Sequence, residues 1–215
     1  MVLIDALRWI AENGGMFRVT LGQHLVMSAI ALAIGLVIGL PLAILVTGRR
    51  VAAAIAINLV NAIRTIPSLA ILAIALPLLG IGLLPSVVAL VVLALPPILL
   101  NAYIGLRDVD PDIIDAARGM GMRGDELMWR VRIPLAAPAM FAGTRTAAVQ
   151  VLSGATLASF IGGGGLGDFV TSGIAMMDVS RLLVGAVPIA GLAILTEFGL
   201  GWAERRLFGE REGQA

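Results

Sequence analysis

Five long apolar stretches dominate the order of hydrophobic and polar positions along this chain. Each has about 20 residues or more, the length that a helix needs to cross a bilayer. The charged residues collect mainly between these stretches. The pattern therefore predicts an all-α polytopic membrane protein with five transmembrane helices. The predicted spans are residues 20–46, 52–79, 85–103, 138–161 and 182–202.

The first predicted span carries a regular ridge of small residues. Ala31, Gly35, Gly39 and Ala43 recur every four positions. Such spacing lets a second helix approach closely inside a membrane. It therefore predicts helix packing and does not by itself indicate a function.

Residues 1–19 differ from the spans because acidic and basic side chains interrupt their apolar positions. Asp5 and Arg8 break what would have to be the hydrophobic region of a cleaved signal peptide. Leu3, Leu7 and Ile10 nevertheless recur at helical spacing. The segment is predicted to be an external amphipathic helix at the membrane interface, with a frayed tail as the alternative.

The second predicted span is interrupted by Arg64, Thr65, Ile66, Pro67 and Ser68. A charged residue within a span usually faces protein or water, and proline frees a backbone carbonyl. One interpretation is a kinked helix that lines a pathway, in which the arginine braces the kink or binds the carboxylate of a zwitterion. The alternative is a segment on the membrane surface whose arginine extends to the headgroups.

Composition narrows the classes of function. The chain is 59% hydrophobic and 13% charged, with a mean hydropathy of +1.00. All fifteen basic residues are arginine, so no P-loop lysine or Schiff-base lysine exists. The absence of cysteine excludes disulfides and thiolate chemistry, and the dispersed charges give no reason to expect a nucleic-acid partner.

No set of residues predicts catalysis. His24, the single histidine, has neither the cysteine nor the carboxylate partners of a metal site. Glu197 is the one acidic residue within a predicted span, and its basic neighbours along the same helix are Arg205 and Arg206. Arg145 lies near the end of the fourth span, where snorkelling or a salt bridge accounts for it. We therefore predict a protein that is not an enzyme and binds no cofactor.

The arginines orient the predicted spans. The segments on the side of residues 104–137 hold ten arginines, and the segments on the other side hold three. The positive-inside rule then places the N-terminus outside and the C-terminus in the cytoplasm. The predicted organisation is an external segment 1–19, a membrane domain 20–207 with a cytoplasmic loop 104–137, and a tail 208–215.

The longest polar segment runs from Asp115 to Pro134 within this loop. Asp110 is a suitable N-cap for a short helix that begins at Pro111. Glycines at 119 and 121 break that helix, and a second one is predicted to restart near residue 125 and to stop at Pro134. Two short helices that meet at a glycine elbow form a compact surface for a partner.

A second glycine-rich segment, residues 161–167, separates the last two spans. It contains GxGxxG, but a dinucleotide site would need a preceding strand and a βαβ unit. A mobile outer gate or a passive loop is predicted instead. The glycines concerned are Gly162, Gly163, Gly164, Gly165 and Gly167.

The polar segment resembles the EAA signature of binding-protein-dependent ABC importer permeases. That signature reads E-A-A, three residues, G, nine residues, I-x-L-P. Asp115, Ala116, Ala117 and Gly121 stand at the first positions, and Val131, Ile133 and Pro134 at the last. The departures at 115, 131 and 133 are conservative. With five spans and this signature between the third and fourth, the chain is similar to the methionine-importer-type permease fold.

Within that family, the chain most resembles osmoprotectant permeases for glycine betaine, carnitine and choline. The residues that carry this resemblance are 64–69, 77–82, 109–111 and 116–122. An amino-acid permease, for methionine for example, is the alternative, and a stand-alone secondary carrier is a further one.

The resemblance also implies the partners and the location of the chain. It implies cytoplasmic ATP-binding subunits that hold ATP and Mg²⁺, an external substrate-binding protein, and a second permease copy or a related permease in a bacterial or archaeal plasma membrane. The residues implied to couple the ATPase are Asp115, Ala116, Ala117, Gly119, Gly121, Val131, Ile133 and Pro134.

Overall fold

A computed structural model describes residues 2–209, so the predicted tail lies almost entirely outside the described residues. Every regular element in this range is helical. The α-helices are α1 (Val2–Glu12), α2 (Gly14–Val46), α3 (Arg50–Thr65), α4 (Ser68–Leu79), α5 (Leu83–Arg107), α6 (Pro111–Gly119), α7 (Gly124–Leu127), α8 (Ile133–Gly154), α9 (Gly167–Ala175) and α10 (Val179–Phe208). A π-helical turn (Met128–Arg132) precedes α8, and a 3₁₀ segment (Ala155–Ile161) follows it.

Helix α5 lies at the centre, and α2 and α8 pack along it. All four members of the small-residue ridge on α2 are buried, which confirms the predicted packing surface. A Cβ atom added at Gly39 would lie 2.7 Å from Cγ2 of Ile98 on α5. One added at Gly143 of α8 would lie 2.7 Å from the carbonyl oxygen of Pro97. Backbone approach this close requires glycine on both neighbours of α5.

Three described helices, α2, α5 and α10, are long and apolar enough to cross a membrane. The pair α3 and α4 passes the same criterion together but bends by 97° at Ile66 and Pro67. The second predicted span is therefore two helices rather than one kinked helix. Helix α8 has 22 residues but is not among these candidates.

The bent pair nevertheless connects the two ends of α5. Arg50, the first residue of α3, shares a cavity with Tyr103 and Arg107 at the end of α5. After α4, the Gly82 N–H donates a 2.8 Å hydrogen bond to the carbonyl of Ile161, directly before α5 begins. Because α3 starts at one end of α5 and α4 finishes at the other, the pair follows the length of α5 despite its bend.

The prediction that the helix after the glycine elbow stops at Pro134 is wrong. The π-helical turn leads directly into α8, and this proline occupies the first turn of the new helix. Proline is tolerated there because the first N–H groups of a helix have no partner within that helix. The polar segment and the fourth predicted span are thus physically continuous.

An ion-pair cluster joins α8 to α10. Arg145 Nε lies 3.5 Å from Glu197 Oε1, and Arg145 Nη1 lies 2.9 Å from Glu204 Oε2. The salt bridge that the sequence gives as one explanation for Arg145 is thus confirmed, and the partner of Glu197 comes from α8 and not from its own helix. Pairing explains how these charges can lie on helix faces in the bundle.

The N-terminal segment is helical and packs on the bundle. In α1, Trp9 meets Phe169 of α9 edge to face, with ring centroids 5.1 Å apart. Ala6 is buried in the same cluster, which also includes Val184 of α10. Leu3 and Leu7 are exposed, so α1 presents an apolar face outward. Helix α2 begins at Gly14, within the segment that was predicted to lie outside the membrane domain.

Candidate functional site

The predicted partner surface is an elbow made of α6 and α7. The Asp110 carboxylate accepts a 2.8 Å hydrogen bond from the Asp112 N–H and so caps α6, as the sequence predicts. Gly121 has a φ of 84°, in the left-handed region that favours glycine. Its N–H donates to the Arg118 carbonyl at 2.9 Å, which closes the turn between the two helices.

The residues of the EAA-like signature fall into two groups at this elbow. Asp115, Ala116, Gly119 and Gly121 are exposed. The other four, Ala117, Val131, Ile133 and Pro134, are buried or half-buried. The first group lies on the outer surface of the elbow, whereas the second lies in its apolar cluster or in the first turn of α8.

A small apolar cluster holds the two elbow helices together. Ile114 and Ala117 of α6 are buried against Leu127 of α7, and Val131 packs at the edge. Asp115 pairs only weakly with Arg118, at 3.5 Å between exposed side chains. The acidic residue at the first position of the signature is thus available at the surface.

The Arg64 region lines a cavity of about 560 Å³ halfway along α5. Its lining residues include Arg64 and Ser68 from the break between α3 and α4, Pro96 from α5, and Gln150 and Ser153 from α8. The cavity is open, and Arg64 is exposed. Polar side chains from three elements therefore face one space beside the central helix.

The remaining residues of this segment shape the break. The Thr65 hydroxyl donates a 2.7 Å hydrogen bond to the Ala62 carbonyl. The Ile63 carbonyl, which Pro67 leaves without its usual helical donor, accepts from the Ile66 N–H at 3.1 Å. The Arg64 side chain makes no hydrogen bond or ion pair within residues 2–209. The break is thus satisfied without the arginine.

The glycine-rich loop lies at the opposite end of the bundle from the elbow. Gly162, Gly164 and Gly165 have φ values of 71°, 74° and 90°. A side chain at Gly163 would overlap the Ser86 hydroxyl, and one at Gly167 would overlap the Thr156 carbonyl. These five glycines therefore form a tightly packed turn between the 3₁₀ segment and α9.

Two residues of α2 contact this loop. Gln23 Oε1 accepts a 3.4 Å hydrogen bond from the Gly165 N–H. His24 is fully buried, and its Nε2 donates to the Leu152 carbonyl at 3.0 Å. That carbonyl lies where α8 tightens into a 3₁₀ helix. Sequence reasoning considered His24 only as a metal ligand and missed this contact, which joins residues 128 positions apart.

The loop continues into α9 with Asp168 in its first turn. Partial burial raises the pKa of the Asp168 carboxyl above its ordinary value. No group of three or more His, Cys, Asp or Glu residues in the described part of the chain could hold a metal ion.

Several curated transport proteins are similar to this chain in sequence over most of its length. The glycine betaine/carnitine/choline transport system permease protein OpuCB of Bacillus subtilis is 41% identical, over 93% of this chain and 92% of its own length. The carnitine transport permease protein OpuCB of Listeria monocytogenes is 44% identical, over 91% and 90%. The osmoprotectant import permease protein OsmW of Salmonella typhimurium is 34% identical, over 95% of each chain.

Solved structures of transporters have the same architecture. A chain of the inward-facing MetNI methionine ABC transporter superimposes with a TM-score of 0.75 at 25% identity, covering 86% of this chain and 92% of that one. A chain of an amino acid ABC transporter crystallised with histidines gives a TM-score of 0.74 at 22% identity, which shows a shared fold.

The family model for the inner membrane component of binding-protein-dependent transport systems matches residues 31–209. This range includes the elbow, the Arg64 cavity and the glycine-rich loop. Together with identities of 41% and 44% over more than nine-tenths of the chain, it decides the family. The chain belongs to the inner membrane components of binding-protein-dependent transport systems, as its EAA-like segment predicts.

Proposed function

We propose that this chain is the permease subunit of an ATP-driven importer for quaternary ammonium osmoprotectants such as glycine betaine, carnitine and choline. The observation that carries the proposal is its identity of 41–44% to three permeases named for these substrates. The methionine alternative has only the support of a shared fold at 25% identity. Family membership implies a substrate-binding protein and an ATPase on separate chains.

The α6–α7 elbow is the proposed contact with the ATPase. Its outer surface includes exposed small residues, Ala116, Gly119 and Gly121, at which a partner could approach the backbone. Its inner side is continuous with α8 through the π-helical turn. A displacement of the elbow by ATPase closure would therefore be transmitted directly to a helix that packs along α5.

Gly121→Asp tests this contact. An added Cβ at Gly121 meets no atom of this chain within 4 Å, so the new side chain would collide with the partner and not with the permease. We expect uptake to fall to background and the co-purified ATPase to decrease by about tenfold, equivalent to about 1.4 kcal/mol of binding. Uptake and ATPase co-purification of the assembled transporter are the measurements.

Gly80→Asp is the matched control, since Gly80 also has a positive φ, of 79°, and open space around it. It places the same side chain at a positive-φ glycine at the opposite end of the bundle and should retain the ATPase. Equal loss of ATPase from both variants would refute the contact.

The proposed topology has five spans with the N-terminus outside. Helix α8 supplies the fourth span, because its 22 residues extend about 33 Å, close to the thickness of the hydrocarbon core. With α3 and α4 as one broken span, the elbow lies in the cytoplasm, and α1, α9 and the glycine-rich loop lie outside. The excess of arginines on the elbow side, among the described residues, agrees with this orientation, because cytoplasmic segments are enriched in basic residues.

Two single cysteines test the orientation in this cysteine-free chain. Met177 is 93% exposed between α9 and α10, and Arg123 is exposed on the elbow. An impermeant maleimide should label Met177→Cys in intact cells but Arg123→Cys only after permeabilisation. Labelling of both in intact cells would disprove the topology. A cysteine at Gly163 would be unsuitable because its side chain would overlap Ser86.

The Arg64 cavity is the proposed section of the translocation pathway. A fixed positive charge would repel a quaternary ammonium group but would bind the carboxylate of betaine or carnitine. No group in the described part of the chain forms a hydrogen bond or an ion pair with the Arg64 guanidinium, and the cavity is open beside α3 and α4. A second permease copy or a related permease would close this open side and complete the pathway.

Arg64→Gln separates carboxylate recognition from a structural role. Loss of a charge-assisted hydrogen bond of about 1.5–3 kcal/mol should reduce betaine uptake about 10- to 100-fold. Choline, which has no carboxylate, should be taken up at the wild-type rate. Competitive uptake of the two labelled substrates is the measurement, and Arg18→Gln, at the far end of the bundle, is the charge-matched control.

Equal loss of both substrates in Arg64→Gln would exclude carboxylate recognition. Full uptake of both in Arg64→Ala would show that this arginine only snorkels.

We also propose that the glycine-rich loop is the outer gate. Its packing against Gln23 and His24 of α2 and against Ser86 of α5 closes the outer end of the bundle. Any opening must break these contacts, which makes the packed turn the closed state of the gate.

Gly165→Ala should weaken this closed state. The added Cβ would lie 3.2 Å from His24 Nδ1, at a backbone conformation that costs a non-glycine residue about 1–2 kcal/mol. Uptake without the binding protein should therefore rise about 5- to 30-fold. Gly191→Ala is the control, since its Cβ would meet nothing within 4 Å. If uptake depended on the binding protein to the same extent in both variants, the proposal that this loop is the outer gate would be contradicted.

A further inference from the structure

A second cavity, of about 730 Å³, lies at the elbow end of the bundle. It forms where the turn between α2 and α3 meets the end of α5 and the π-helical turn. Four arginines line it: Arg49, Arg50, Arg107 and Arg132. Tyr103 of α5 and the turn residues Thr47 and Gly48 line it as well. No carboxylate lines the cavity.

These four side chains differ from the arginines of the elbow. Arg118, Arg123 and Arg130 each lie within 4.0 Å of an acidic side chain of the elbow. The four cavity arginines make no ion pair or side-chain hydrogen bond within residues 2–209. Four like charges that converge without a counter-charge repel one another. Their arrangement indicates an anionic ligand that supplies the missing negative charge.

The start of α3 adds to the positive potential of the cavity. Helix α3 has 16 residues and begins at Arg50, and no side chain caps its N-terminus. The turn before it, at Thr47 and Gly48, lines the same cavity. A helix N-terminus carries partial positive charge and unpaired N–H groups, both of which favour phosphate. Two independent features, the arginines and the helix end, therefore select the same kind of ligand.

The α3 wall of the cavity is apolar, because Ala54 and Ile57 line it after Arg50, and an exposed apolar stripe follows on the adjoining face of the same helix. Val51, Ile55 and Leu59 recur every fourth residue on α3, and they are 74%, 63% and 60% exposed. This stripe starts one residue after Arg50 and runs away from the arginines. A ligand with a phosphate at one end and a hydrocarbon chain at the other matches both surfaces, whereas free phosphate would use only the first.

We propose that this cavity binds the phosphate headgroup of an anionic phospholipid, with an acyl chain along the α3 stripe. Arginine is suited to the role because its planar guanidinium binds phosphate oxygens in pairs. Basic pockets between membrane helices on the cytoplasmic side bind anionic headgroups in other proteins. The assignment to the inner leaflet rests on the proposed topology, but binding itself does not depend on transport.

Native mass spectrometry of the full-length permease in detergent tests the proposal. The probes are phosphatidylglycerol, phosphatidylcholine and inorganic phosphate. Phosphatidylglycerol should bind at least about tenfold more tightly than phosphatidylcholine, since the second lipid carries its own positive charge. Inorganic phosphate should not displace it, because the soluble ion lacks the acyl chain.

Three substitutions identify the site. Arg50→Gln and Arg107→Gln should each weaken phosphatidylglycerol binding about fivefold, as expected for one basic residue at an anionic headgroup. Arg206→Gln is the matched control, because Arg206 lies at the same end of the bundle but outside the cavity, over the Trp202 ring. It should bind lipid like the wild type.

Three results would overturn the proposal. Equal weakening in Arg206→Gln and Arg50→Gln would show general surface attraction, and equal affinity for the two lipids would remove the anionic selectivity. Displacement of the lipid by inorganic phosphate would assign the cavity to a soluble anion. Where a glutamine variant does not fold, the lipid preference of the wild-type chain still decides the outcome. None of these results bears on osmoprotectant uptake, so the two proposals fail separately.

Discussion

The close approach of α2 and α8 to α5 is the constraint on which the rest of the structure depends. Lipid tails are as apolar as the helix surfaces, so association in a membrane depends on packing and not on hydrophobic burial. Glycines on both neighbours allow this approach, because a Cβ added at Gly39 or Gly143 would lie only 2.7 Å from an atom of α5. A larger residue at either position would hold the helices further apart. A central helix that is packed along its length in this way can act as a rigid scaffold against which other segments move.

The functional segments are arranged around this central helix. The broken pair α3 and α4 runs from one end of α5 to the other, and its bend opens a polar cavity beside the middle of α5. The elbow follows one end of α5, and the glycine-rich loop packs near the other. Since α8 connects the elbow to the glycine-rich loop through a single continuous helix and its 3₁₀ extension, it is the mechanical link between them.

Local signals predicted much of this arrangement. The small-residue ridge of α2, the Asp110 cap and the turn at Gly121 depend on a few neighbouring residues, and all three are observed. Hydropathy also located α2, α5 and α10, although it underestimated the length of all three. The fourth predicted span, residues 138–161, corresponds to most of α8 and its 3₁₀ extension, but the helix begins five residues earlier.

Other features could not be read locally. The stop rule for Pro134 assumes ordinary α-helical hydrogen bonds, and the preceding π-helical turn changes that assumption. The partner of Glu197 comes from another helix, and His24 bonds a carbonyl far along the chain. Each depends on which helices become neighbours, which composition and spacing do not specify.

The arginines show how charge is divided between architecture and ligand binding. Arg145 is satisfied by two glutamates of α10 and ties the fourth and fifth proposed spans together. Arg64 and the four arginines that line the cavity at the elbow end have no such partner in the described chain. An unpaired charge near a membrane is costly unless water, lipid or substrate compensates it. The proposed substrate and lipid sites therefore both lie at arginines that lack such a partner, whereas the Arg145 pairs join two helices of the bundle.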